Sequence, residues 1–303
     1  MLDGNNKNQL RIGFIGAGNV GVSLALAFSK SGYRVESIFS RRKKSSEVFA
    51  RLISGCNVVE SYDEVSIKSD IVFITTSDDS IQDVTAKTYW RSKQLVVHCS
   101  GASSLDVLEQ ARKQGAYIGS LHPLQAFASF EDGVLSIPGT TFAIEGNEFV
   151  RNYLEFIATD IGGEVIYLNS EDKVLYHLTG VMMGGMLSTL AASVSDLWRL
   201  FGYDREKGVN ALSKMIHQVG INLRQLGIPN AVAGPYSRGD IGTIEKHLLE
   251  LLDRAPELLP VYCEMALIGL PYAFEKGNLS QEKLQEIREL LVSFKNKGEL
   301  KCD

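Results

Sequence analysis

Residues 11–28, Arg11-Ile-Gly-Phe-Ile-Gly16-Ala-Gly18-Asn-Val-Gly21-Val-Ser-Leu-Ala-Leu-Ala-Phe28, decide the fold. A short apolar strand runs into glycines spaced G-x-G-x-x-G, and an apolar helix follows at once. Each glycine has a mechanical task in that setting. Gly16 permits a tight turn, Gly18 lets the backbone reach a pyrophosphate, and Gly21 allows a helix to lie close on its strand. The helix opening near Asn19 offers unsatisfied N–H groups to phosphates. Gly16, Ala17, Gly18, Asn19, Val20 and Gly21 are therefore the expected cradle of a dinucleotide.

Working outward, strand candidates fall at 11–15, 35–39, 71–75, 95–98, 117–120, 141–144 and 164–167. Several are continuous apolar runs, as strands covered on both faces require. Their alternation with helical stretches predicts an α/β architecture with a doubly wound, mostly parallel sheet. After about residue 169 the pattern becomes helical throughout, over 171–201, 205–226, 241–252, 256–274 and 281–297. Gly202, Gly227 and Gly277 stand where such helices should stop. The expected division is a nucleotide-binding sheet domain at 1–168 and an all-helical C-terminal domain at 169–303.

The chain has 303 residues, enough for two domains, and its 31 basic against 36 acidic residues give a net charge of −5. That balance argues against a dedicated nucleic-acid or anionic-membrane binder, which would need an excess of cations. The N-terminus is polar and lacks a signal-peptide core. Cys56, Cys99, Cys263 and Cys302 show no paired spacing, so reduced thiols and a cytoplasmic location are expected. The uncharged run 178–195, LTGVMMGGMLSTLAASVS, could just span a bilayer. Its Gly, Ser and Thr content instead predicts a helix buried inside the helical domain. Gly180, Gly184 and Ser188, four apart, would admit a close helix neighbour. No membrane partner is expected.

The second strand chooses the cofactor. An NAD site usually carries an acid there to hold the ribose 2′-hydroxyl. Here Phe39-Ser40-Arg41-Arg42-Lys43-Lys44 has no acid before Glu47. Ser40 can donate a hydrogen bond, and Arg41 or Arg42 can grip a 2′-phosphate with two donors. The expected cofactor is NADP. Thr75-Thr76-Ser77 and His98-Cys99-Ser100-Gly101 follow buried strands, and ligands of open parallel sheets lie outside such carboxyl ends. Both loops should face the cofactor, the second nearer its nicotinamide.

The N-terminal half resembles the Rossmann-like domain shared by pyrroline-carboxylate, prephenate and ketopantoate reductases or dehydrogenases. From about Arg11 to the last helix the chain is similar to oxidoreductases that pair this domain with a DUF2520 helical domain. The residues carrying the likeness are GAGNVG (16–21), SRR (40–42), HCSGA (98–102), HPLQAF (122–127), LYH (175–177), GPYSRGD (234–240) and His247-Leu248. The resemblance implies an NADP-dependent oxidoreductase. Some relatives are alternative ketopantoate reductases of pantothenate synthesis, which suggests 2-dehydropantoate as substrate. Where the family places an Asn about eight residues after the LYH histidine, this chain has Gly185.

Reduction of a 2-keto acid needs a cation for the carboxylate, a donor to polarise and protonate the carbonyl oxygen, and walls against water. Arg238, in a turn just before a helix start, is the expected cation, with Asp240 as a substrate-binding candidate beside it; the alternative is that Asp240 simply caps that helix and Arg238 pairs with a surface acid. The proton donor is one of His122, Lys173 and His177. Lys173 and His177, four apart, share a helix face, and related hydroxyacid dehydrogenases place a catalytic Lys near the start of the equivalent helix. Ser100, Gln125, Asn222, Ser237 and His247 are further substrate-binding candidates. His98 and His217 read as structural. No metal site is expected, because no carboxylate or histidine cluster has ligand spacing. Reduction of another oxo acid or a cyclic imine, or a non-catalytic NADP sensor, remain open. The helical domain's apolar stretches make a homodimer plausible.

Overall fold

A computed structural model of the chain describes residues 7–299. Its packing divides the chain into two compact units, Met1–Gly185 and Met186–Asp303. The last strand ends at Tyr167, and every regular element beyond it is helical.

In the first unit eight strands, among the described residues, form one sheet. They are β1 (Arg11–Ile15), β2 (Arg34–Phe39), β3 (Asn57–Val58), β4 (Ile71–Ile74), β5 (Leu95–His98), β6 (Tyr117–Pro123), β7 (Thr141–Gly146) and β8 (Glu164–Tyr167). Their spatial order is β3-β2-β1-β4-β5-β6-β7-β8. All neighbours are parallel except β6 and β7, which run antiparallel with Ser120 opposite Glu145 and His122 opposite Ala143. The chain leaves β1 toward β2 on one side and returns to β4 on the other. The crevice at their carboxyl ends is the topological switch point where such sheets bind ligands.

Helices α1 (Asn19–Lys30), α2 (Lys43–Leu52), α3 (Tyr62–Lys68), α4 (Asp78–Lys87), α5 (Glu109–Lys113), α6 (Phe130–Ser136) and α7 (Glu148–Asp160) cover the sheet. The continuous apolar runs predicted as doubly covered strands are buried at every position in β4 and β5. Between β1 and its helices lies an aromatic cluster, with Phe14 stacked on Phe73 at 5.4 Å and Phe28 5.1 Å from Phe73. Two features differ from the sequence reading. β3 has only two residues, too few for any periodicity to register. β6 runs on to Pro123, so His122 sits within a strand rather than in the loop after it.

The helix from residue 170 to 201 comprises α8 (Lys173–Val181), a π-helical turn (Met182–Met186), α9 (Leu187–Asp196) and a final 3-10 turn (Leu197–Phe201). It ends at Gly202, whose left-handed φ of 92° a side chain would strain. The second unit continues with α10 (Arg205–Leu226), α11 (Ile241–Arg254), α12 (Leu259–Glu275) and α13 (Gln281–Glu299). Its core joins α11, α12 and α13 through Ile244, Leu248, Leu259, Leu270, Ile287 and Leu291, all fully buried. α9 packs beside α10, where a Cβ at Gly208 would stand 3.0 Å from the Ser195 carbonyl oxygen.

One expectation is overturned here. The uncharged helix is not buried: only 6% of its most apolar window is covered, and Leu175 and Met183 are 68% and 64% exposed. Nor do Gly180 and Gly184 seat a helix. A Cβ at Gly180 would meet only the Leu124 side chain, and one at Gly184 would meet nothing within 4 Å. The reason is numerical: α9 has α10 as its helical neighbour, and one neighbour cannot cover an apolar surface that extends around the helix. By length and composition the segment could cross a bilayer. Cys56, Cys99 and Cys263 are free thiols, and Cys302 lies outside the described residues.

The aromatic cluster fixes β1 and β4, the two strands flanking the crevice. Phe73→Ala should therefore cost about 3–5 kcal/mol. Denaturant unfolding of wild type and variant, followed by circular dichroism, measures this; a loss below 1 kcal/mol would show that the cluster collapses freely.

Candidate active site

The turn after β1 has the geometry its glycines foretold. Gly16 has φ of 112°, and a Cβ there would stand 2.7 Å from the Thr75 backbone. A Cβ at Gly21 would lie 2.5 Å from Thr75 Oγ1, itself donating to the Gly16 carbonyl at 2.8 Å. Gly18 is different: its backbone is extended, and nothing lies within 4 Å of where its Cβ would be. That open space is what a phosphate group approaching the backbone needs. Gly18 caps α1 without a side-chain bond, so the first N–H groups of a twelve-residue helix, from Asn19, Val20 and Gly21, face the opening unsatisfied. Ala17 packs partly buried against the core. The Asn19 side chain instead donates to the carbonyl oxygens of Phe127 and Ala128, at 3.0 and 2.8 Å, tying α1 to the segment after β6.

At the end of β2, Ser40 is half-buried while Arg41 and Arg42 are exposed. Neither arginine has an acidic partner within 4.0 Å among the described residues; Lys43 pairs with Glu60 at 3.3 Å. Arg42 caps α2, so the basic run 41–44 crowds the positive end of a helix dipole. An anion bound there would relieve that repulsion. These residues fit a dinucleotide carrying a 2′-phosphate. Thr76 and Ser77 lie at the β4 end with Thr75, and the Ser77 hydroxyl is 3.0 Å from that of Ser80. The Ser100 hydroxyl is committed to the scaffold: it donates to Asp78 at 2.7 Å and accepts from the Ser103 N–H at 3.0 Å.

A cavity of about 460 Å³ opens beside the β5 and β6 ends of the sheet. His122, Gln125, His177 and Thr179 supply its polar groups, and Leu124, Val181 and Met183 are among its apolar walls. Gly185 also lines it, leaving room where a side chain would project. Gly101 brings the two imidazoles in: a Cβ there would stand 2.7 Å from His122 Nε2 and 2.7 Å from His177 Cδ2. The rings meet edge to face, centroids 6.0 Å apart. Gly101, His122, Gln125 and His177 are thus brought together.

Lys173 is placed differently. It is only 2% exposed and does not line the cavity. Its Nζ donates to Ser120 Oγ at 2.8 Å and stands 3.3 Å from Glu145 Oε2. Glu145 also accepts a very short hydrogen bond from the Ser170 hydroxyl. Burial pushes the ammonium's pKa down, and Glu145 opposes that shift. His122 is held to about 4, mainly by burial, with His177 and Lys173 adding repulsion, so it is neutral at pH 7. Fully buried His98 is pushed to about 3, again mainly by burial, and its Nδ1 accepts the Ser100 N–H at 3.2 Å.

The remaining candidates lie in the second unit. Asn222, on α10, accepts from Gln218 at 2.9 Å. Ser237 is buried and donates to the Gly234 carbonyl at 2.9 Å, closing the turn. Asp240 caps α11 by accepting from the Thr243 N–H at 3.1 Å, and these bonds lower its pKa. Arg238 is mostly exposed, one nitrogen 3.5 Å from Asp240. His247 Nδ1 lies 3.1 Å from the Tyr262 hydroxyl.

Sequence reasoning missed Ser120, Glu145 and Tyr176. Tyr176 stands inside the quoted LYH motif, and its hydroxyl lies 2.9 Å from His122 Nδ1. Glu145 gave no signal, because its partnership with Ser120 and Lys173 exists only through the antiparallel β6–β7 register.

Comparison with known proteins places the class first. The sequence matches a Rossmann-like domain over residues 3–123 and DUF2520, a domain of unknown function, over 140–268. The chain thus carries a match to a Rossmann-like domain followed by a match to DUF2520. Comparison with curated proteins found no match. Among solved structures it is similar to a presumed NADP oxidoreductase from Bacteroides fragilis, 21% identical, covering 93% of this chain and 99% of that one at a TM-score of 0.66. An Aspergillus terreus reductive aminase in complex with NADPH and ethyl-5-oxohexanoate is 14% identical, covering 95% and 94% at 0.57. The 1-pyrroline-5-carboxylate reductase of Streptococcus pyogenes is 14% identical, covering 95% and 98% at 0.60. At these identities the likeness establishes the shared fold.

The depressed imidazole pKa values have a stability consequence. Between about pH 6.5 and 4 the unfolded chain binds protons at His98 and His122 that the folded chain refuses, so stability falls as pH drops through that window. For His122 alone the full shift is on the order of 3 kcal/mol. Urea midpoints at pH 7, 5.5 and 4.5 should fall in that order, and less steeply in His122→Gln. Equal slopes in both proteins would place the proton uptake elsewhere.

Proposed function

We propose that the protein is an NADP-dependent oxidoreductase that reduces a small C=O or C=N substrate. The observation that carries this reading is the pairing of two features on one sheet. One is a phosphate-accommodating turn with open space at Gly18 beside unpaired Arg41 and Arg42. The other is a cavity at the β5 and β6 ends holding His122 and His177 against Gly101. The likeness to structures described with NADPH supports the cofactor.

The α1 N-terminal N–H groups would hold the pyrophosphate, Ser40, Arg41 and Arg42 the 2′-phosphate, and the Thr75–Ser77 and Ser100–Gly101 backbones would flank the nicotinamide side. When bound, NADPH supplies a hydride. The chain's own contribution is to orient the substrate, exclude water and polarise its double bond. His122 and His177 are the groups that reach the cavity for this purpose. Lys173, engaged with Glu145 and Ser120, adds electrostatically to the burial that keeps His122 neutral.

As substrate we put forward a 2-oxo acid, first 2-dehydropantoate, on the strength of the family resemblance, with Arg238 as carboxylate holder. A cyclic imine is the second reading. Two observations favour it: the similarity to a reductive aminase and a pyrroline-carboxylate reductase, and a cavity with no Lys or Arg among the described residues that line it. Initial rates of NADPH and NADH oxidation with 2-dehydropantoate, other 2-oxo acids and 1-pyrroline-5-carboxylate decide between them. Arg41→Ala/Arg42→Ala should raise KM for NADPH about tenfold or more and leave that for NADH nearly unchanged, each lost charge-assisted contact being worth about 1.5–3 kcal/mol. A wild-type preference for NADH would sink the cofactor assignment. Tight NADPH binding with no turnover would leave a sensor.

The exposed apolar surface supports a homodimer in solution. Leu175, Met183, Val261, Met265 and Ile268 are all more than two-fifths exposed, more apolar surface than a lone soluble molecule ordinarily shows. The segment's glycines and hydroxyls and its lack of a basic flank favour a second copy over a bilayer, and with the scattered cysteines they favour a cytoplasmic protein. Sedimentation equilibrium should give twice the 33.3 kDa chain mass, and Met265→Glu/Ile268→Glu should shift it toward monomer. A monomeric wild type, or partition into liposomes, would overturn this.

A further inference from the structure

His122 is a neutral imidazole whose two nitrogens face different surroundings. Nδ1 lies 2.9 Å from the Tyr176 hydroxyl, Nε2 lies on the side of Gly101, and the residue lines the cavity. A neutral imidazole has one N–H and one lone pair, and the partner of one nitrogen decides which the other presents. Tyr176 can be that deciding partner. A phenol O–H is a better donor than an imidazole N–H, and an imidazole lone pair is a better acceptor than a phenol oxygen. The Tyr176 hydroxyl makes no other hydrogen bond among the described residues, so nothing competes for its proton. Its ring crosses His122 edge to face at 5.5 Å, which holds the pair in register.

We propose that Tyr176 donates to His122 Nδ1 and thereby fixes the tautomer that carries its proton on Nε2, so that His122 offers the cavity an N–H donor rather than a lone pair. Tyr176 is a positioning residue and acts through His122. Its own placement follows from the buried anchor. Lys173 and Tyr176 are three residues apart on α8, hence on one face, and Lys173 is pinned to Ser120 and Glu145. Ser120 and His122 are two apart on β6, on the same side of the strand. The anchor therefore sets the tyrosine beside the histidine one strand position further along. Burial raises the Tyr176 pKa to about 12 and lowers that of His122 to about 4, so both stay in the protonation states this arrangement needs across neutral pH. Among the described residues His177 and Lys173 face His122 and both disfavour the imidazolium, and the buried His98 is itself pushed down in part by His122.

An Nε2–H donor at this point is suited to polarising a carbonyl oxygen, a role that rests on the reductase reading; the tautomer itself does not. The two can fail separately. Long-range ¹H–¹⁵N correlation of the full chain labelled at its five histidines reports each ring's tautomer, with His122→Gln giving the assignment. We expect His122 to show a protonated-type Nε2 and an unprotonated, hydrogen-bonded Nδ1 at pH 7, and Tyr176→Phe to give a mixture of tautomers. A wild-type ring protonated on Nδ1, or a Tyr176→Phe spectrum with an unchanged His122, would overturn the proposal. Should Tyr176→Phe fail to fold, the wild-type spectrum alone decides. With a turned-over substrate, Tyr176→Phe should lower kcat about tenfold while leaving KM for NADPH unchanged; a change in KM alone would count against the role in polarisation.

Discussion

A lysine and a glutamate buried together hold the candidate site in place. Removing two charges from water costs several kcal/mol per ion, and mutual attraction offsets that only when further polar groups complete the pair. Here the Ser120 hydroxyl accepts from Lys173 and the Ser170 hydroxyl donates to Glu145 Oε1, while the buried Glu145 Oε2 faces the ammonium at 3.3 Å and makes no hydrogen bond among the described residues. Such a pair adds little net stability over an apolar replacement, yet removing one partner alone typically costs about 3–5 kcal/mol. Its contribution here is positional. It joins the first turn of α8 to β6 and β7 at one register, and that register sets Tyr176 and His177 against His122. The long helix needs such a fastening, because much of its own apolar surface meets nothing.

The same economy appears at the sheet's opposite requirement, contact with phosphates. There the chain supplies absence rather than side chains. Gly16 and Gly21 have no room for a Cβ against Thr75, while Gly18 has space for one and lacks it. Close packing on two sides of the turn leaves one opening, and unsatisfied helix N–H groups face it. The basic run at the β2 end complements this, since Arg41 and Arg42 have no carboxylate partner among the described residues and stand at a helix terminus whose dipole already repels them. Arg11, by contrast, pairs with Asp70.

How far the sequence disclosed this depends on the range of the interaction. The G-x-G-x-x-G turn, the buried strands and the helix stops are local, and residues within a few positions determine them. α10 was predicted at its observed bounds, because Gly202 and Gly227 delimit it. His122, Gln125 and His177 were legible as candidates through their motifs, and the structure brings them to one cavity. Glu145 was not legible, since a lone Glu in a strand acquires meaning only when an antiparallel neighbour sets Ser120 opposite it. The reading of 178–195 as a buried helix failed for a related reason. Apolar composition reports that a surface wants cover, and it does not report whether this chain or another molecule provides it.

These two failures bear on each other. Lys173 is sealed, while the apolar residues that follow it on the same helix lie open. Burial of a charge at one end is offset in part by Glu145, with one hydroxyl bonded to each partner. Exposure of apolar surface along the rest has no such internal compensation, and the hydrophobic cost persists until something covers it. Anchored at its start and open along its length, the helix sets Tyr176 and His177 against His122 while its outer face stays apolar and exposed. Positioning and exposure fall to different residues of the same few turns.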